Sequence, residues 1–306
     1  MNGTSSEYCS PIATKNIKNG SCFSKESLLN LIKSWNDTNK NDIIVFKPNY
    51  SIKKLWNLLN DKLIKFCNNG DDICWINTIK KNTNNTIKHV IADIENKELK
   101  PIKPIEWTKN PHEWLSNYDI ENVMKQYESN KDFKYKFLGV FPIDFAVKDK
   151  FGKCLFTEFC GINIKKYIKN RIKFIGLITN LDKHDEPGSH WTSTFFVIDP
   201  KLQSYGVYYY DSTARNIPSY ILNFLKDFQK QITEIYPNTK FNIFYNKKQH
   251  QKSNTECGVF SITYQIRWLE KLKNNKDTGF NDIIGADDIN DNLMYKMRNI
   301  LYRPPT

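Results

Sequence analysis

Asn254-Thr255-Glu256-Cys257-Gly258-Val259-Phe260 passes within a few residues from a polar approach to an apolar run, with a cysteine at the change. Beyond it Ile262, Ile266 and Leu269 keep an apolar face at helical spacing, which predicts a helix over Cys257–Leu272 headed by Cys257. The N-terminal end of a helix has free N–H groups and partial positive charge, and both favour thiolate over thiol. An arbitrary cysteine in such a place is most often a buried helix residue. Here Gly258 after it and the polar residues before it leave backbone access to the sulfur.

Working outward, Ser219–Ile235 and Asp287–Tyr302 repeat the helical period. Phe137–Phe145, Ile172–Ile178, Trp191–Ile198 and Gly206–Tyr210 are short β-branched and aromatic runs bounded by turn residues, and they predict strands. Asp199-Pro200 makes the connection between the last two short, which favours an antiparallel pair. The fold class is therefore α+β, a sheet with helices around it.

A thiolate needs a partner that handles its proton. The candidates are His89, His112, His184, His190 and His250. His190 opens the strand His190–Ile198, where a strand-end side chain can project into a cleft while the apolar residues after it anchor the backbone. Taken alone, such a histidine is more often a surface loop residue. Asp211 ends the neighbouring strand in Tyr208-Tyr209-Tyr210-Asp211-Ser212, so pairing of the two strands would bring it beside His190 and let it fix the imidazole tautomer. A lone Asp after a strand is otherwise a turn former, which is the reading given to Asp199.

The ordered set His190-Trp191, Ile198-Asp199, Tyr210-Asp211-Ser212, Gln251 and Asn254–Phe260, with Gln251 six positions before Cys257, resembles the superfamily that unites adenovirus protease with the SUMO-specific proteases. Within it, Gln249–Gly258 and the closing segment with Met294-Tyr295-Lys296 and Arg298 are similar to the polyprotein-processing protease of African swine fever virus and its relatives in large cytoplasmic DNA viruses. Weaker similarity covers Asn19–Cys22 with Ser24-Lys25, and Leu115–Tyr127. The resemblance implies a papain-like, adenain-like cysteine protease core with an antiparallel sheet. It implies Cys257 as nucleophile, His190 as base, Asp211 as orienting carboxylate and Gln251 as an oxyanion-hole donor, with Gln249 a neighbouring competitor. It also implies Trp191 and Trp114 as the walls of a tunnel that admits only a Gly-Gly tail, and no cofactor or metal. One departure is Asp211, where the swine-fever-type protease resembles this chain but carries Asn.

The same resemblance implies an endopeptidase that cuts viral capsid or core polyproteins after Gly-Gly during virion maturation, placed in the host cytoplasm and the virion. Deconjugation of SUMO or another ubiquitin-like protein is the second reading. A third is non-enzymatic: a net charge of +12 suits an acidic partner such as nucleic acid, with the cysteine structural. The positive charge is mostly Lys amid abundant Asn and Ile, as in Lys80–Lys88, which weakens that reading.

With 306 residues, the chain is long enough for one catalytic domain and a smaller unit. Ser24 and Ser51 are placed as N-caps of two helices in the first hundred residues, and Pro101, Pro104 and Pro111 mark a joint. The expected organisation is a helical accessory domain over 1–105 and a protease domain over 106–306. The seven widely spaced cysteines contain no CxxC pair, so buried thiols are expected in preference to a disulfide framework or a zinc site. No stretch reaches the ~18 apolar residues of a membrane span, and no signal-peptide pattern opens the chain; a soluble, intracellular protein is expected.

Overall fold

The computed structural model describes residues 5–81, 83–274 and 278–305. Its backbone divides into two compact units, Met1–Lys103 with Leu301–Thr306, and Pro104–Ile300. The joint thus falls inside the proline-rich segment. The last six residues belong with the first unit, whereas the sequence reading assigned them to the protease domain.

The first unit is helical: α1 (Lys25–Thr38), α2 (Ile52–Leu63), α3 (Asp72–Lys80) and α4 (Asn85–Glu98). Ser24 and Ser51 cap α1 and α2 by accepting from Ser27 N and Lys54 N, as their position ahead of apolar periodic runs predicts. The helices bury Leu28, Leu31, Leu55, Leu59, Trp75, Ile76, Ile91 and Ile94 in one core. Cysteine pairing departs from expectation. Cys9 bonds Cys22, Cys67 bonds Cys74, and Cys154 in the second unit is also disulfide-bonded, so that Cys257 is the free cysteine among the described residues. Spacing along the chain hid this, because the fold brings together sulfurs that no CxxC motif announces.

The second unit opens with α5 (Asn117–Ser129), whose Ser116 and Asp119 form the predicted capping box. Then follow β1 (Tyr135–Pro142), α6 (Thr157–Cys160), α7 (Ile164–Lys169), β2 (Phe174–Asn180), β3 (Trp191–Val197), β4 (Gly206–Tyr210), α8 (Ser219–Ile235), β5 (Asn242–Tyr245), α9 (Cys257–Asn274), α10 (Phe280–Ile284) and α11 (Asp291–Leu301). The strands lie in the order β1-β2-β3-β4-β5. The central pairs β2–β3 and β3–β4 are antiparallel, and the edge strands β1 and β5 join in parallel.

Both faces of the sheet are covered, which is why β2, β3 and β4 are buried along their length. Phe196, Val207 and Tyr209 share one core with Ile221, Leu225 and Phe228 of α8. The alternate residues point the other way: Phe195 stacks on Trp268 of α9 at 5.3 Å, and Tyr208 packs on the same indole at 4.6 Å. Helix α9 is therefore buried nearly all round, and its first residue, Cys257, is held where the sheet holds the helix.

Candidate active site

Antiparallel pairing of β3 with β4 sets Ser193 opposite Tyr210, so His190 just before β3 and Asp211 just after β4 meet at one end of the sheet. His190 Nε2–H donates to Asp211 Oδ1 at 2.8 Å. Both are buried, at 7% and 0% exposure. With Nε2 on the carboxylate, the other ring nitrogen is left for Cys257, whose thiol interacts with the imidazole.

Burial by itself would lower the His190 pKa; the Asp211 hydrogen bond, the Cys257 contact and the negative charge of both partners outweigh it and raise the pKa to about 9. Burial likewise opposes the charged form of Asp211, but His190 and the Thr213 hydroxyl and N–H keep its carboxyl below the usual range. A histidine held by a carboxylate beside a thiol at a helix N-terminus is an arrangement suited to nucleophilic chemistry at the cysteine.

Asp211 is itself fixed. Its N–H donates to Asn246 Oδ1 at 2.9 Å, and Asn246 Nδ2 donates to the Asp211 carbonyl at 2.7 Å. All the carboxylate's hydrogen bonds fall on Oδ1, from His190, Thr213 N at 2.8 Å and Thr213 Oγ1 at 2.7 Å. Asp199 makes an Asx turn with Lys201 N and pairs with Lys173, in keeping with its turn-forming reading.

Gln251 is buried, and both ends of its amide are engaged. Ser212 Oγ donates to its Oε1 at 2.5 Å, and its Nε2 donates to the Ser253 carbonyl at 2.8 Å. The second contact fixes which end of the amide is the donor, because a carbonyl oxygen only accepts; it uses one N–H and leaves the other. Gln249 Nε2 donates to the Gln251 carbonyl at 2.8 Å.

Trp191 and Trp114 line one cleft of about 410 Å³, together with Leu115, Asn180, Phe141 and His184. The Trp191 indole N–H donates to the Leu115 carbonyl at 3.0 Å, tying one wall to the segment that carries the other. A Cβ on Gly258 would stand 3.1 Å from Leu115 and 3.2 Å from Trp191 Cδ1, so the residue after the cysteine is small because Leu115 and Trp191 lean on it. On the same cleft His184 Nδ1–H donates to Asp144 Oδ2 at 2.7 Å, a second His–Asp pair whose hydrogen bond raises the His184 pKa. It has no free cysteine among its described contacts.

The sequence reading missed Ser212, Thr213 and Asn246, which hold Asp211 and Gln251 in place.

No family model matches the chain. Over 260 residues it is 28% identical to a protein of Acanthamoeba polyphaga mimivirus, provisionally named a thiol protease, across 82% of this chain and 81% of the relative. It is 29% identical over 138 residues to the cysteine protease of one African swine fever virus isolate, covering 45% of this chain and 47% of the relative. The form from another isolate of that virus, named a SUMO-1 cysteine protease, matches at 24% over 200 residues, 62% of this chain and 67% of the relative. Among solved structures, the crystal structure of the African swine fever virus protease has the same fold, with a TM-score of 0.61 at 17% identity over 99% of this chain and 98% of the other.

Proposed function

Because the chain is a cysteine protease whose relatives are viral thiol and cysteine proteases, we propose that it cleaves viral capsid or core polyproteins after Gly-Gly during virion maturation, in the host cytoplasm and the virion. The observation that carries the reading is the buried Cys257–His190–Asp211 series beside a cleft walled by Trp191 and Trp114.

In this reading the Cys257 thiolate attacks the carbonyl carbon of the residue before the scissile bond, and the imidazolium of His190 keeps the thiol proton. The carbonyl oxygen becomes negative and is met by the unused N–H of Gln251 and the backbone N–H of Cys257; one such donor is typically worth about 10²–10³-fold in rate. His190 gives its proton to the departing amine as the C–N bond breaks, leaving a thioester on Cys257. Neutral His190 then takes a proton from water, the hydroxyl attacks the thioester, and the thiolate leaves with the imidazolium restored. Asp211 holds the ring and stabilises its charged form throughout.

Substrate choice follows from the cleft. In this reading the two indoles close on an extended substrate backbone and leave no room for a Cβ, and each of the two residues before the scissile bond is Gly. An added methyl forced against such walls costs about 1–3 kcal/mol, or roughly ten- to a hundredfold in rate. Peptides ending in Gly-Gly-Xaa are expected to be cut at least tenfold faster than Ala-Gly or Gly-Ala versions. Equal rates would remove Trp114 and Trp191 as substrate-clamping residues.

SUMO deconjugation is kept as the second reading because one relative is named a SUMO-1 cysteine protease. A SUMO C-terminal reporter cut faster than any Gly-Gly peptide would favour it.

A further inference from the structure

Gln251 to Cys257 is a loop with little regular structure of its own, yet it carries both proposed oxyanion donors. One helix face holds it. Asp291, the first residue of α11, accepts from Lys252 N at 3.0 Å and Ser253 N at 3.1 Å on Oδ2, and from Ser253 Oγ at 2.8 Å on Oδ1. Ser253 is the residue whose carbonyl takes one N–H of the Gln251 amide. Arg298 lies seven positions on, two turns along the same face. Its Nε and Nη2 grip the buried Glu256 carboxylate at 2.7 and 2.9 Å, and its Nη1 donates to the Glu113 carbonyl beside Trp114 at 2.8 Å. Its guanidinium lies 4.3 Å over the Trp107 ring, which holds it flat.

We propose that α11 is the clamp of the oxyanion loop, with Asp291 a positioning residue that acts through Ser253 on the Gln251 amide, and Arg298 one that acts through Glu256 on the first turn of α9. The inference rests on the proposed role of Gln251. Two physical requirements support it. A side-chain amide works as an oxyanion donor only if it is aimed before the charge develops. Gln251 is held at Oε1 by Ser212, but its donor end depends on where the Ser253 carbonyl stands, and Asp291 sets that by holding Ser253 at both N–H and hydroxyl. Glu256 places a carboxylate one residue from the nucleophile, where an unpaired negative charge would oppose both thiolate and oxyanion. Arg298 neutralises it with a bidentate pair, so the N-terminal field of α9 reaches Cys257 undiminished.

Asp291 is the better test, because it is only half-buried and can be changed without opening the core. In full-length protein, Asp291→Ala is expected to lower kcat on a Gly-Gly-Xaa peptide at least tenfold with KM within about twofold. The rate of Cys257 alkylation by iodoacetamide, which needs the thiolate but no oxyanion hole, should stay unchanged. Asp291→Asn, whose carbonyl oxygen still accepts the two backbone N–H groups, should recover most of the lost kcat. In a Gln251→Ala background Asp291→Ala should change kcat less than twofold, since the two act as one unit. Ser253→Ala gives a smaller loss of the same kind and serves if Asp291→Ala does not fold. A readout independent of turnover is the side-chain ¹⁵NH₂ signal of Gln251, which should move to the position of a free glutamine amide in Asp291→Ala. Unchanged kcat, equal losses in both backgrounds, or an unmoved Gln251 amide would overturn the clamp. Wild-type protein that cleaves no peptide would instead overturn the proteolytic reading, and the amide signal would still judge the clamp.

Discussion

Asp211 concentrates three hydrogen bonds on one oxygen, while its buried Oδ2 has no partner among the described residues. An Asn there keeps the accepting oxygen and loses only the charge. Asp211→Asn should therefore retain measurable turnover and Asp211→Ala less, whereas Cys257→Ala and His190→Ala each abolish it without unfolding the protein. The charge shows in the pH dependence. His190 is raised from 6.5 to about 9 in the folded protein, so its protonated form, and the stability gained from its pairing with Asp211, is complete below pH 6.5 and lost as pH rises through about 9. The alkaline limb of kcat/KM is expected near pH 9 and should move to lower pH in Asp211→Asn, because a neutral partner no longer favours the imidazolium. A limb that stays in place would separate Asp211 from the titration of His190.

At the scale of elements, the site depends on how tightly α9, β3 and the Leu115 segment close on one another. Gly258→Ala puts a methyl 3.1 Å from Leu115 and 3.2 Å from Trp191, a distance those neighbours must relieve by moving the cleft walls. A loss of about ten- to a hundredfold in kcat/KM with little change in thermal stability is expected, and wild-type kinetics in this variant would mean that the walls are not in register with the substrate. Much of this architecture was legible in the sequence. Ser219–Ile235 was read to its ends, and Gly206–Tyr210 was correct, because long amphipathic periods and dense aromatic runs outweigh local propensity. Strand β5 was missed: it is a four-residue edge strand whose partly exposed residues show no run to detect. Helices α3 and α4 were also passed over: α3 is short, and in α4 the apolar positions Ile87, Val90, Ile91 and Ile94 are set among polar residues. His190, Asp211 and Cys257, which adjoin strand ends and the helix head, could be singled out once their positions were taken together as a pattern that resembles a known family. Their supports could not, since Ser212, Asn246 and Asp291 are residue types that any turn or helix cap also uses, and only the hydrogen bonds show what they hold.

For the molecule as a whole, the return of Leu301–Thr306 to the first unit separates the ending of the chain from the chemistry. Arg303 is buried there. Its N–H bonds the Pro101 carbonyl at 2.8 Å, its Nε donates to the Lys100 carbonyl at 2.9 Å, and its guanidinium pairs with Glu95. Truncation after Ile300 removes the buried side chains of Leu301 and Tyr302, about 1.5–3 kcal/mol each, and leaves Glu95 without its buried partner. Hydrogen exchange should then show α4 losing protection while a short Gly-Gly-Xaa peptide is still cut. The opposite pattern, intact α4 with dead chemistry, would make the closing residues part of the active site.

The central claim is that Cys257, activated by His190, is the nucleophile. It is tested most directly by treating full-length protein with a Gly-Gly peptide bearing a C-terminal vinyl ester and locating the adduct by mass spectrometry. A single covalent adduct on Cys257, formed at a rate that collapses in His190→Ala, is the predicted result. An adduct on another residue, or labelling of Cys257 that proceeds unchanged without His190, would contradict it.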